Sequence, residues 1–123
     1  MKADPHGFAL PGETSSTLAV RADYDIPVDD EGLVRPEEPP AGMSVTPDDW
    51  RHMRRDRIPE ELGGDGKHPM FYIDTEELGP LLRFKRDPDN PVRHGFIEPA
   101  HPMSFEAYRA AIHATAALWR RVA

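Results

Sequence analysis

The chain has 123 residues, 15 basic against 22 acidic side chains, a net charge of −7 and no cysteine. That length holds one hydrophobic core and not two independent ones, and the missing sulfur excludes disulfides, thiolate metal sites and cysteine nucleophiles. The negative field disfavours nonspecific binding to nucleic acid or anionic membranes and suits a basic partner protein.

Fourteen prolines, about twice the usual ~5% share, predict short elements with rigid connections. Residues 1–16 are rich in Gly, Pro and Ser and predict a flexible N-terminal arm, with a single domain over 17–123. Met1-Lys2-Ala3-Asp4-Pro5 has no apolar run of the kind a signal peptide carries. No segment reaches the ~20 apolar residues that span a bilayer. A soluble protein of a reducing, cytoplasmic compartment is expected.

Thr17 to Tyr24 alternates roughly and predicts a first strand, followed by an irregular acidic, proline-rich connection to Ala41. Gly42-Met43-Ser44-Val45 predicts a short strand. Thr46 as N-cap, Pro47 at the first helical position and Asp48-Asp49 in the first turn predict a helix that turns Trp50 and Met53 inward and stops before Pro59. Gly63 to Gly66 is a turn. Met70 to Ile73 predicts the most apolar strand, Thr75 to Leu78 a helical turn, Leu81 to Arg86 a strand, and Arg93 to Glu98 another. The last element is an amphipathic helix capped by Ser104, with an inner stripe of Phe105, Tyr108, Ile112, Thr115 and Trp119.

Candidate functional groups are sparse. The six histidines lack metal-ligand spacing, so no metal site is expected. Arg51, Arg54, Arg55 and Arg57 are interleaved with acids and predict a salt-bridged, solvated face. Gly63 to Gly66 lacks the lysine and hydroxyl of a phosphate-cradling loop. Three residues stand out. Arg21 falls within the first predicted strand with no acid at positions 17–22. Ser44 sets a hydroxyl between Met43 and Val45. His94 opens the last strand. Each falls in a strand or at its start, just before a helix or turn, where a sheet-based cleft finds its polar groups.

Four segments in order carry a resemblance: Gly32-Leu33-Val34-Arg35-Pro36, Gly42-Met43-Ser44-Val45, Ile58-Pro59-Glu60-Glu61-Leu62, and His94-Gly95-Phe96-Ile97-Glu98-Pro99 followed by Pro102-Met103. Together they resemble the Tse-two-like toxins, small type VI secretion effectors and relatives with an ADP-ribosyltransferase-like fold, over roughly residues 17–122. Met43 stands where that family often has Thr, and no Glu-x-Glu or Gln-x-Glu pair is present. The resemblance implies an α+β fold: a compact, bent mixed sheet with flanking helices, the amphipathic C-terminal helix and an NAD-sized cleft.

The resemblance also implies an NAD-dependent toxin that transfers ADP-ribose to an acceptor or hydrolyses NAD. It would act in the cytoplasm, the producer's own or that of a target cell, and a cognate antitoxin or immunity protein would neutralise it. Such chemistry opens the nicotinamide–ribose bond through an oxocarbenium-like state. Arg21 then suits the diphosphate, Ser44 a ribose or nicotinamide hydrogen bond, and His94 a ribose hydroxyl or proton handling. Glu98, four residues along the same strand face, is the nearest carboxylate. The rival readings are a non-catalytic interaction domain and an acidic antitoxin or immunity-type protein.

Overall fold

The computed structural model describes residues 1–122. Seven short strands run β1 (Leu33–Val34), β2 (Met43–Val45), β3 (Phe71–Tyr72), β4 (Leu82–Arg86), β5 (Gly95–Pro99), β6 (Met103–Ser104) and β7 (Arg120–Arg121), with one helix, α1 (Phe105–Ala114), among the described residues. They pair as three small sheets, β1-β6, β2-β5-β4 and β3-β7, and every ladder between named strands is antiparallel. The bent mixed sheet expected from sequence is therefore divided. Its largest piece is the three-stranded sheet with β5 at the centre.

That sheet follows from side-chain alternation. In β4, Leu82 is buried and Phe84 half-buried while Arg83, Lys85 and Arg86 face water. Central β5 buries Gly95, Ile97, Glu98 and Pro99 and half-buries Phe96, as a strand covered on both sides must. The register sets Ser44 opposite Phe96 and Arg83 opposite Glu98. Behind the sheet, α1 buries Tyr108 and Ile112, one turn apart on a single face. Leu18, Val20, Ile26, Val34, Met43, Leu82 and Ile97 complete the core around them.

The helix starts as expected, with Ser104 Oγ accepting from Ala107 N at 3.0 Å, but it is shorter. Thr115 Oγ1 donates to the Ile112 carbonyl at 2.6 Å and accepts from Trp119 Nε1 at 2.9 Å. A hydroxyl that competes for the last carbonyls ends the helix there. Trp119 is buried, as expected of a core residue, yet it follows a separate 3-10 turn (Ala116–Leu118) and leads into β7.

Three other expectations give way. The helix expected after Pro47 is replaced by 3-10 turns at Trp50–His52, Arg55–Arg57 and Glu60–Leu62. Asp48 adopts a positive φ of 62°, and Asp49, not Thr46, caps the first turn by accepting from Arg51 N. With Trp50 and Met53 only half-buried, the segment has no apolar stripe broad enough to hold a continuous helix against the core. The strand expected over Thr17–Tyr24 buries Leu18 and Val20 in alternation, but it makes only isolated bridges, Pro11 to Leu18 and Ala22 to Ile26. Residues 1–16, read from sequence as an arm, fold back on the body. Lys2 N donates to Ser16 O, Leu10 N to Lys2 O, and Ala9 is fully buried in the core.

Candidate functional site

β2 is an edge strand, and its alternation turns Met43 into the core and Ser44 outward. His94 precedes β5 and lies two residues before Phe96, which is Ser44's partner across the ladder. Period two therefore brings His94 and Ser44 to one face, and His94 Nε2 lies 3.1 Å from Ser44 Oγ. The other ring nitrogen, Nδ1, lies 2.7 Å from Asp87 Oδ2. Asp87 comes directly after β4, and the turn Asp87-Pro88-Asp89-Asn90 carries the chain back so that Asp87 N donates to His94 O at 3.1 Å. The Phe96 ring meets the imidazole edge-on, with centroids 4.6 Å apart. Ser44, His94 and Asp87 thus form a continuous hydrogen-bonded chain.

The electrostatics agree with the geometry. The His94 hydrogen bond, reinforced by the backbone N–H of Asp89, holds the Asp87 carboxyl below its ordinary range, so Asp87 is an ionised acceptor at neutral pH. The strand under Ser44 is braced from behind. Tyr108 Oη donates to the Ile97 carbonyl and accepts from Met43 N at 3.2 Å, and burial pushes this phenol above its usual range. Gly42 admits that contact: its φ is +139°, and a Cβ there would stand 2.4 Å from Ile97 O and 2.7 Å from Tyr108 Oη.

Of the four residues singled out from sequence, three line one groove and Glu98 lies outside it. Ser44 and His94 are bonded to each other in a broad, open groove of about 1370 Å³, larger and looser than the ~300–1,000 Å³ of an enclosing ligand pocket. Arg21 lines the same groove but has partners already. Its Nε and Nη2 each reach the Asp25 carboxylate at 3.1 Å, and its guanidinium lies 3.9 Å above the Tyr24 ring. Glu98 is fully buried and is not part of the groove lining. Its Oε1 accepts from Arg83 Nε at 2.6 Å, while Oε2 has no hydrogen-bond partner. Although Glu98 shares a strand face with His94, Arg83 from β4 covers it.

A family model of the Tse2 ADP-ribosyltransferase toxin matches residues 9–121. The chain belongs to that family. No curated protein and no solved structure matches it. Membership in the Tse2 toxins implies NAD as the substrate, and the groove residues fit parts of it. Ser44 and His94 present a hydroxyl and an imidazole suited to ribose hydroxyls. Arg21 has the fork a diphosphate needs, with Asp25 now in that place.

Among the described residues no group of three or more His, Asp or Glu could hold a metal ion, and no helix is long and apolar enough to cross a membrane. Asp87 and Asp25 escaped the sequence reading. The signal for Asp87 was the Asp-Pro-Asp-Asn turn, whose ends must meet; that for Asp25 was an acid four residues after Arg21.

Proposed function

We propose that this protein is a toxin that cleaves the nicotinamide–ribose bond of NAD, passing ADP-ribose to an acceptor or to water. The observation that carries the reading is the 3.1 Å contact of Ser44 Oγ with His94 Nε2 in the groove, within a chain that matches the family over residues 9–121. Departing nicotinamide takes the bonding electron pair and leaves a cationic ribose carbon, so the site must orient the ribose and accept the proton of the incoming nucleophile. Ser44 and His94 offer both. Arg21 would hold the diphosphate after exchanging Asp25 for phosphate oxygens. Toxicity points to action in a cytoplasm containing NAD, and to a cognate antitoxin or immunity protein that protects the producer.

Nicotinamide release from NAD by the purified protein, followed by chromatography, tests the chemistry. Growth on induced expression tests toxicity for the intact chain, Ser44→Ala and His94→Ala, each with a melting curve. Loss of toxicity and turnover at an unchanged melting temperature is the expected result. No turnover and no heat of binding at millimolar NAD would overturn it. That outcome would favour a non-catalytic interaction domain, a reading supported by Glu98 lying buried outside the groove.

A further inference from the structure

We propose that Asp87 is a positioning residue that fixes the His94 ring with Nε2 as a proton acceptor, so that the site activates a hydroxyl acceptor, either water or an alcohol. An ionised carboxylate can only accept hydrogen bonds. Asp87 Oδ2 at 2.7 Å therefore requires the proton of the neutral imidazole to reside on Nδ1. Nε2 then carries the free lone pair, and Ser44 Oγ–H at 3.1 Å must be its donor. Because a hydroxyl accepts as well as donates, Ser44 can receive a hydrogen bond from a second hydroxyl while giving its own proton to Nε2. The Phe96 ring packs against the imidazole at 65°, with centroids 4.6 Å apart, and hinders it from turning.

The acceptor class rests on the NAD chemistry proposed above; the ring orientation does not. In the step, the bond from the ribose carbon to the nicotinamide nitrogen breaks and its electron pair leaves with neutral nicotinamide. An oxygen–carbon bond forms in its place. The nucleophile's proton passes through Ser44 to His94 Nε2, and the imidazolium faces the Asp87 carboxylate. A cationic acceptor such as a guanidinium would instead need a free carboxylate beside the ribose. Of the lining or adjoining carboxylates, Asp25 is committed to Arg21, Asp48 to Arg86 at 2.8 Å and Asp87 to His94, while Asp74 caps its own 3-10 turn by accepting from Glu76 N at 3.0 Å.

Asp87→Asn is the informative variant. Asp87 Oδ1 also accepts from Asp89 N at 2.9 Å, and an asparagine amide oxygen can keep that turn bond. Its NH₂ then faces Nδ1 and forces the ring proton onto Nε2, where it can no longer accept from Ser44. Nitrogen-15 NMR of labelled histidine reads the tautomer directly on the full chain. The expected result is protonated Nδ1 in the native protein and protonated Nε2 in Asp87→Asn at a similar melting temperature. Nicotinamide release should fall by about 100-fold, and the product from NAD alone should be free ADP-ribose. Native protein with its proton on Nε2, or unchanged turnover in a variant whose tautomer has switched, overturns the assignment. If the native chain releases no nicotinamide, the NAD reading fails, and the tautomer measurement still decides the role of Asp87.

Discussion

Tyr108→Phe removes one oxygen atom from the point where α1 meets the sheet. The hydroxyl donates to Ile97 O and accepts from Met43 N, and Tyr108 is fully buried. The ring fills the same space in the variant, so the cost is almost entirely polar. A buried backbone N–H and carbonyl each lose a partner in a place water does not reach. An unsatisfied buried group costs about 1–3 kcal/mol, and a lost neutral hydrogen bond about 1 kcal/mol, so a total of about 2–4 kcal/mol is expected. For a chain of this size that is a fall in melting temperature of roughly 8–16 °C. Thermal denaturation followed by far-ultraviolet circular dichroism measures it, with urea unfolding as the second reading. A loss under about 1 kcal/mol would refute the clamp, because it would mean that Met43 N–H and Ile97 C=O find other partners without the phenol.

Trp119→Ala should cost about 3–5 kcal/mol, since it empties a core position and removes the indole donor to Thr115 Oγ1, which keeps its bond to the Ile112 carbonyl; urea denaturation checks it. Arg83→Ala leaves the buried Glu98 carboxylate without its only partner among the described residues, whereas Glu98→Leu removes the charge. The first should lose about 2–3 kcal/mol, a paired-charge penalty reduced because Arg83 is half exposed, and the second should be near neutral or stabilising by the same denaturation assay. Asp87, Asp29 and Asp49 have carboxyls held below their ordinary value of 3.8 by His94 and Asp89 N–H, by Leu33 and Glu31 N–H, and by Arg51 N–H respectively. A depressed carboxyl pKa gives stability that is whole above the unfolded value and lost as pH falls below it. Melting temperature should therefore drop as pH falls below about 4, and less steeply in Asp87→Asn.

The fold was legible where local chemistry and packing agree. Ser104, Tyr108 and Ile112 announced α1, and the alternation of Leu82, Arg83, Phe84 and Lys85 announced β4. Legibility failed where a side chain competes with the backbone at short range. Thr115 ended the helix before Trp119, and Asp49 capped a single turn where Thr46 and Pro47 had suggested a long helix. In the site, Ser44 and His94 were readable as residues in a strand or at its start, but the pairing that joins them was not. Asp87 was not, because its role depends on a turn that closes over seven residues. Glu98 was misplaced because alternation gives the face of a strand and does not say what covers it, and here Arg83 does.

The engaged state of Arg21 bears on how an anion would be held in the groove. Its guanidinium has a carboxylate on its fork and an aromatic ring beneath its plane. A phosphate arriving there meets an ion pair and not an open cation, so docking is an exchange of one anion for another. Asp25 stays beside the site with its charge intact, because its Oδ2 also accepts from the Arg21 backbone N–H at 2.7 Å. The attraction between arginine and phosphate is offset by the one given up, and the gain at this position is a small difference between two similar contacts. Salt, which screens both alike, should leave that difference nearly unchanged.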